Sequence, residues 1–394
     1  MNNIAKKVTF VVKTSKLCNL RCKYCYEFAE LGNKAAMSLE QAEKMFKNIA
    51  SYYRQFDFPI ELEFNWHGGE TLLQPPEFYW NAFELQRKIF GNLGKSVINS
   101  VQTNLTVLDS KRIDLLKNGF DRIGVSIDLF GSLRVNQKGD QSQPKVLENM
   151  DRLRQENIPF GCITVLTQRN LPYLREIYDF YRKMNIPFRV LPLFKGAFEG
   201  QHDGFEITPH DTLKAYCQLI DFWLEDDQFV SITPLMDYIR QVLHLYTPDA
   251  PPRIYNKKEW EFIYLVNTTG DMYSVADAYN IERSHGNIFT NPLGELVESD
   301  RHLQVIAEAE GRIKKTCYKC PYYGSCSGFP IAEGSRQYYE LDEEGAMRCI
   351  VEKGVLQHIE YRLIQAGMLD LQTRMINLEK LNVPEENPAI AVPI

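Results

Sequence analysis

The sequence predicts an α/β fold, in which a partial, six-stranded βα barrel is followed by a small α+β domain. Strand-like runs alternate with helical patterns over the first half of the 394 residues, and turn motifs separate them. Such repetition is typical of a parallel sheet with helices on its outside. Six strands are too few for a closed eight-stranded barrel.

The strand-like runs are rich in β-branched and aromatic residues. They span residues 8–14, 60–66, 97–103, 122–128, 160–167 and 186–194. The helical patterns between them span residues 38–56, 75–93, 108–120, 143–157 and 171–185. Turn motifs such as NGF and MNIP close a helix before the next strand begins.

After residue 194 the alternation stops. Residues 208–246 predict one or two helices, and a β-type pattern from about residue 262 contains a Thr-Gly-Asp hairpin turn. Residues 350–377 predict one more helix. These changes predict three units: the barrel at 1–195, a helical connector at 196–260 and the small domain with its helix at 261–394.

Charge and hydropathy exclude several classes of protein. The net charge of −6 and pI near 5.8 argue against a protein that coats nucleic acid, and the sequence gives no reason to expect a membrane surface. No apolar run approaches a membrane span, and the N-terminal segment lacks the features of a signal peptide. We therefore expect a cytoplasmic protein with neither nucleic-acid nor membrane partners.

The nine cysteines are unevenly distributed. Three follow the first strand, at positions 18, 22 and 25, and four more lie near the C-terminus, at positions 317, 320, 326 and 349. In a reducing compartment, clusters of this kind are typical of metal ligands rather than disulfides. Cys162 and Cys217 lie alone among apolar residues, and we expect small buried hydrophobes there.

The first cluster has three thiols, Cys18, Cys22 and Cys25. A structural zinc ion needs four ligands, yet the next cysteine is Cys162 and no histidine lies within 40 residues. A 4Fe–4S cluster that leaves one iron open for a chelating substrate fits three thiolates better.

The motif CNLRCKYC, with Tyr24 directly before the third cysteine, resembles the CxxxCxxC motif of the radical S-adenosylmethionine (SAM) enzymes. The resemblance implies that SAM chelates the open iron. It also implies that one electron cleaves SAM to a 5′-deoxyadenosyl radical, which abstracts hydrogen from a substrate. The chain is thus expected to be an oxidoreductase.

Further motifs that resemble this family stand at successive strand ends, where the active sites of α/β barrels cluster. They are WHGGE at 66–70, QTN at 102–104 and SID at 126–128. The resemblance implies that Glu70 meets the SAM ammonium, that Arg134 meets its carboxylate and that Leu166 lies near its adenine. The implied SAM contacts are Tyr24, Gly68, Gly69, Glu70, Thr103, Asn104, Ser126, Asp128, Arg134 and Leu166. Leu105 and Leu129–Phe130 depart from the family's usual loop residues.

The second cluster reads C-x2-C-x5-C from Cys317 to Cys326, followed by Cys349. A zinc ribbon is one interpretation of this cysteine spacing. Within a radical SAM protein the pattern resembles the SPASM domain, which holds auxiliary iron–sulfur clusters. The resemblance implies a second, fully ligated 4Fe–4S cluster. Val275 and Pro330 stand where the full pattern has cysteines, so the resemblance implies one auxiliary cluster rather than two.

SPASM enzymes mostly modify peptides, and this chain resembles both ribosomal-peptide maturases and sulfatase-maturing enzymes. We expect a maturase that forms an intramolecular crosslink in a precursor peptide, through a cyclophane-type carbon–carbon, ether or thioether bond. The alternatives are a peptide epimerase, a formylglycine-forming sulfatase-maturing enzyme and, in another class, a non-catalytic metal-cluster scaffold. Asp277 is the candidate base, because it resembles an acid of the sulfatase-maturing relatives.

The resemblance also implies partners. Reduced flavodoxin or ferredoxin is the expected electron donor. Because the first strand begins near residue 7, we expect no separate peptide-binding domain before the barrel. Leader recognition is therefore expected to use the surface of this chain or a separate leader-binding protein.

Overall fold

The computed structural model describes residues 6–91, 96–196, 200–201, 203–255, 257, 262–274 and 280–377. Its centre is a ten-stranded, mostly parallel sheet, with helices packed on its outer face. The sheet strands are β1 (Lys6–Ser15), β2 (Ile60–Gly68), β3 (Ser96–Thr103), β4 (Arg122–Ser126), β5 (Gly161–Leu166), β6 (Phe188–Pro192), β7 (Ile232–Thr233), β8 (Phe262–Val266), β9 (Asp271–Tyr273) and β10 (Gly286–Asn287).

The six predicted strands are β1 to β6, and the predicted fold class is confirmed. They lie side by side in chain order, and every neighbouring pair is parallel. The carboxyl ends of all six therefore meet at one edge of the sheet.

The sheet is longer than the six strands that the sequence indicates. Short strand β7 pairs with β6, and β8 pairs in parallel with the open side of β1, from Val8↔Phe262 to Val12↔Val266. Strands β9 and β10 extend that side as antiparallel additions. The hairpin between β8 and β9 turns at Gly270, whose φ of +94° is accessible to glycine at no steric cost.

The barrel helices follow the predicted alternation. They are α1 (Leu39–Tyr53), α2 (Pro76–Phe90), α3 (Ser110–Asn118), α4 (Gln143–Gln155) and α5 (Leu174–Met184). Helix α1 begins with a capping box, in which Ser38 and Gln41 each bond the other's backbone N–H. On the outer face of β2, Phe64 and Trp66 are fully buried against the Phe46 ring of α1.

The second half contains the remaining elements. They are α6 (Pro209–Glu225), α7 (Leu235–Leu245), α8 (Leu293–Val297), α9 (Asp300–Thr316), α10 (Phe329–Ala332), β11 (Tyr339–Leu341), β12 (Met347–Cys349), α11 (Val351–Gln365), β13 (Leu369–Asp370) and β14 (Met375–Ile376). The region predicted as one or two helices holds two, α6 and α7. The helix expected over 350–377 ends at Gln365 instead. Gly367 adopts a φ of +67° after it, and Met368 N–H donates back to Leu363 O, which closes the helix.

The predicted division into three units stays a prediction. Strand β8, which begins at Phe262, joins the same sheet as β1 and continues the barrel side. In the described ranges, no helix is both long and apolar enough to cross a bilayer.

Candidate active site and metal centres

The CNLRCKYC loop follows β1 and lies at the carboxyl edge of the sheet. Cys18 and Cys22 are 6 % and 8 % exposed, and Cys25 is partly buried beside them. The loop is fixed by backbone bonds to the segment after β4, from Arg21 N–H to Val135 O and from Lys23 N–H to Leu133 O. The three predicted ligands are therefore brought together in one buried cluster.

The three thiols lie in an environment that opposes a negative charge. Burial, followed by the nearby Glu70 carboxylate, raises the pKa of Cys18 to about 12. Burial also raises the pKa of Cys22 and of Cys25. A bound metal cluster would supply the positive charge that stabilises all three thiolates, so this donor set fits a 4Fe–4S cluster.

Gly68 and Gly69 hold the backbone of the cysteine loop at close range. A Cβ on Gly68 would lie 2.3 Å from Ser15 O, and one on Gly69 would lie 2.3 Å from Lys16 O. Gly69 N–H donates to Ser15 O, and Glu70 N–H donates to Leu17 O. The glycines of WHGGE thus support the loop from behind, and their direct contact with SAM stays a prediction.

Glu70 is the buried acceptor between the cysteine loop and β3. Its carboxylate accepts from Thr103 Oγ1 at 2.5 Å, from Asn104 N–H at 2.7 Å and from Leu72 N–H at 2.9 Å. Burial raises the pKa of Glu70. The Asn104 side-chain amide lies 3.8 Å from Cys18 Sγ, so the GGE and QTN motifs meet beside the first cysteine.

The Asp128 side chain is completely buried and holds neighbouring groups of the site in place. It accepts from the Tyr24 hydroxyl, from Arg134 Nε at 2.7 Å and from Val165 N–H at 2.9 Å. The Arg134 Nη1 atom lies 3.9 Å from Cys22 Sγ. Tyr24, Asp128 and Arg134 therefore form one network against the second cysteine.

Two more residues that were predicted to contact SAM, Ser126 and Leu166, lie elsewhere along the carboxyl edge of the sheet. Ser126 accepts a hydrogen bond from the Gln102 amide at 2.6 Å. Leu166 is fully buried within the main hydrophobic core. Its contact with adenine stays a prediction, and Asp277 lies outside the described residues.

An ion pair that the sequence did not single out lies inside the barrel near the cysteine loop. Lys13, on β1, pairs with Glu27, two residues after Cys25, and the side chains are 1 % and 4 % exposed. Burial opposes ionisation of Glu27, but the Lys13 ammonium holds the pKa of that carboxyl below its usual range. The signal available in the sequence was a lone lysine in the otherwise apolar run VTFVVK.

The C-terminal cysteines meet around one cavity. Cys317 ends α9, Cys320 and Cys326 lie in the following loop, and Cys349 ends β12. Gly328 leaves room beside them, because a Cβ there would lie 3.2 Å from Cys317 Sγ. This donor set also fits a cluster. Among the described residues, no three His, Cys, Asp or Glu side chains are arranged to hold a single metal ion.

Glu352 lines the same cavity from the first turn of α11. It is 4 % exposed and accepts a 2.7 Å hydrogen bond from the Tyr238 hydroxyl of α7. Burial raises its pKa to about 7. The cysteine pattern alone gave no sign of this carboxyl, since it follows the last cysteine on a helix.

Comparison with known proteins agrees with this geometry. Residues 12–181 match the model of the radical SAM superfamily. The chain is 26 % identical to the serine-type anaerobic sulfatase-maturating enzyme of Bacteroides thetaiotaomicron over 347 residues, 82 % of each chain. It is 25 % identical to the cysteine-type enzyme of Clostridium perfringens over 352 residues, 84 % of this chain and 89 % of that one.

A solved structure has the same fold. It is that of anSMEcpe with bound AdoMet and the Cp18Cys peptide, at a TM-score of 0.70 and 22 % identity, over 91 % of this chain and 97 % of that one. The alternating sheet and the cysteine loop thus define a radical SAM fold. Residues 12–181 thus match the radical SAM superfamily, and the chain is an enzyme similar to the anaerobic sulfatase-maturating enzymes.

Proposed function

We propose that this enzyme binds a SAM-chelating 4Fe–4S cluster through Cys18, Cys22 and Cys25 and oxidises a residue of a peptide or protein substrate. The observation that carries the proposal is the convergence of these three buried thiols with Glu70 and Arg134 at the carboxyl edge of the sheet. When bound, the cluster supplies the electron that cleaves SAM to the 5′-deoxyadenosyl radical.

The surrounding residues bind and orient SAM. The Glu70 carboxylate accepts three hydrogen bonds, and its remaining acceptor position suits the SAM ammonium. Arg134 has five N–H donors and uses Nε on Asp128, so its other donors can hold the SAM carboxylate. Tyr24 and Asp128 keep Arg134 in place. Thr103 and Asn104 position Glu70.

The relatives support a proposal for the substrate class. The two sulfatase-maturating enzymes align with more than four-fifths of the chain. We therefore place oxidation of a serine or cysteine side chain in a polypeptide, to a formylglycine, ahead of the crosslink that the sequence favoured. Hydrogen abstraction removes one hydrogen atom, and a second electron and a proton must then leave the substrate.

An intramolecular crosslink is the second candidate. Val275 and Pro330 stand where the full auxiliary pattern has cysteines, so this chain lacks thiols that the sulfatase-maturing resemblance implies. Crosslinking, like formylglycine formation, requires one further electron to leave the substrate after hydrogen abstraction. In both candidate reactions, we propose that the four-cysteine site accepts the electron that leaves the substrate. For both we also propose a cytoplasmic location and flavodoxin or ferredoxin as the electron donor.

The experiment combines the reduced, reconstituted enzyme and SAM, without oxygen, with serine- and cysteine-containing peptides of the sulfatase type. A serine peptide lighter by two hydrogens that reacts with an aldehyde-specific reagent supports formylglycine. The same mass loss without an aldehyde supports a crosslink. A peptide whose mass is unchanged in H2O but which gains one deuterium at an α-carbon in D2O indicates an epimerase and overturns oxidation. Absence of 5′-deoxyadenosine in every reaction, peptide-free controls included, contradicts SAM cleavage itself.

A further inference from the structure

The segment around the four-cysteine site has an unusual charge for this acidic protein. Residues 311–328 contain Arg312, Lys314, Lys315 and Lys319 but no aspartate or glutamate, whereas the whole chain has a net charge of −6. The three lysines are exposed. They therefore form a local basic surface, which we call the 314–319 lysine patch.

These three lysines make no ion pair in the described part of the chain. Exposed lysines on the barrel helices differ, since Lys44, Lys47 and Lys88 each contact a glutamate one turn away at 2.6–2.9 Å. Lys314 and Lys315 lie in the last turn of α9, where a positive charge also stabilises the helix end. Lys319 lies beyond the helix, so the helix end does not account for it.

The lysine patch borders the edge of the cysteine cavity. Cys317 and Cys320 line that cavity and are only partly buried; Cys317 lies between Lys315 and Lys319 in the chain, and Cys320 directly follows Lys319. Tyr318, 56 % exposed, packs its ring 5.1 Å from Tyr323, which lines the cavity as well. Positive charge, an exposed aromatic ring and two cavity thiols thus share one surface.

We propose that the 314–319 lysine patch is the docking surface for an acidic one-electron carrier protein that exchanges electrons with the four-cysteine site. This inference rests on the proposed auxiliary cluster. Unpaired lysines on an acidic protein attract a partner of opposite charge and orient it over the thiol edge. A small charged contact of this kind is typical of transient electron-transfer encounters.

The electron balance defines the direction of transfer. The substrate gives one hydrogen atom to the 5′-deoxyadenosyl radical, and then loses a proton to solvent and one electron to the four-cysteine site. That electron passes to the oxidised carrier, which is thereby reduced by one electron. The reduced carrier can then serve as donor for the next SAM cleavage.

The test uses the reconstituted holoenzyme and a triple variant with Lys314→Glu, Lys315→Glu and Lys319→Glu. The matched control carries Lys44→Glu, Lys47→Glu and Lys88→Glu, so both variants have the same net charge. Oxidised acidic flavodoxin is mixed with the dithionite-reduced protein in a stopped-flow instrument at low salt, and its flavin fluorescence reports binding separately. We expect the patch variant to lose about tenfold or more of the second-order rate constant, together with most of its salt dependence. The control should keep both.

Further measurements test the docking surface, the auxiliary cluster and the folding of the variant. Oxidised cytochrome c, a basic carrier, should react faster with the patch variant than with the wild-type enzyme. An unchanged rate in the patch variant, or an equal loss in the control, overturns the docking surface. Iron and sulfide contents that match one 4Fe–4S cluster per chain overturn the auxiliary cluster itself, and the inference falls with it. A thermal midpoint within a few degrees of wild type confirms that the variant is folded.

Discussion

Asp128 and Arg134 form a buried ion pair beside the cysteine loop, with Arg134 Nε donating to Asp128 Oδ2 at 2.7 Å. The same carboxylate accepts from the Tyr24 hydroxyl and from Val165 N–H. One side chain therefore links β4, β5 and the segment that carries Cys22. Its loss would leave Arg134 buried without its carboxylate.

Asp128→Asn should destabilise the protein by about 3–5 kcal/mol, because removing one partner leaves an uncompensated buried charge. Urea unfolding of the variant and of wild type measures the difference. Glu84→Gln is the control, since the Glu84–Lys88 pair is exposed and its loss should change stability far less. Similar losses in both variants would contradict the role given to Asp128.

Gly69→Ala should displace the cysteine loop, because the added Cβ would lie 2.3 Å from Lys16 O and 2.5 Å from Leu17 O. We expect the reconstituted variant to lose most of the iron of the SAM-binding cluster while retaining that of the four-cysteine site. Iron and sulfide content measures this. Gly32→Ala is the control, as nothing lies within 4 Å of its added Cβ. Full iron content in Gly69→Ala would show that the loop tolerates the shift.

His285 and His302 should make the protein sensitive to acid. Their rings lie 4.5 Å apart, and both ring nitrogens of His285 are buried without a hydrogen-bond partner. Burial lowers the pKa of His285 to about 3, and burial lowers that of His302 to about 4. Both folded values lie below the unfolded value near 6.5. The stability that depends on both buried histidines being neutral is therefore complete above about pH 6.5 and is lost as the pH falls toward 4.

The measurement is the free energy of unfolding of wild type and His285→Leu across that pH range. The variant should lose less stability on acidification, by up to about 1.4 kcal/mol per pH unit. His210→Leu changes a histidine whose side chain is 64 % exposed and should follow the wild-type curve. Parallel curves for wild type and His285→Leu would contradict the prediction.

Cys349→Ala should remove the auxiliary cluster and leave SAM cleavage intact, because Cys349 lines the cavity of the C-terminal cysteines and not the cysteine loop after β1. We expect about half of the iron to be lost, while 5′-deoxyadenosine still forms with dithionite as reductant. Cys217→Ala, outside both cysteine groups, should keep all the iron. Loss of SAM cleavage in a folded Cys349→Ala protein would show that the two sites are not independent.

The sequence predicted the barrel because each strand and helix carries its own local periodicity. It indicated the hairpin of β8 and β9 but not the pairing of β8 with β1, because that pairing depends on tertiary contacts. Strands β7 and β10 have only two residues each, which is too short for a recognisable pattern. The helix expected over 350–377 ended early because Gly367 takes a left-handed conformation. That glycine was visible in the sequence, but its conformation was not.

The cysteine clusters followed from spacing, whereas the roles of their neighbours needed coordinates. Asp128 accepts hydrogen bonds from Tyr24, Arg134 and Val165, which the sequence could not show, and its contact with SAM stays a prediction. Leu105 stands where the family often has glycine, and it takes a φ of +52°, a conformation that glycine adopts more easily. Lys13 and Glu27 are 14 residues apart in the chain, so nothing local in the sequence could pair them.

The central claim is that Cys18, Cys22 and Cys25 hold the cluster that allows SAM cleavage. The most direct measurement is 5′-deoxyadenosine formation by reconstituted, dithionite-reduced Cys22→Ala, with buried Cys162→Ala as the matched control. The account predicts that Cys22→Ala forms none while Cys162→Ala retains activity. Formation of 5′-deoxyadenosine by Cys22→Ala at a rate near that of wild type would contradict the account.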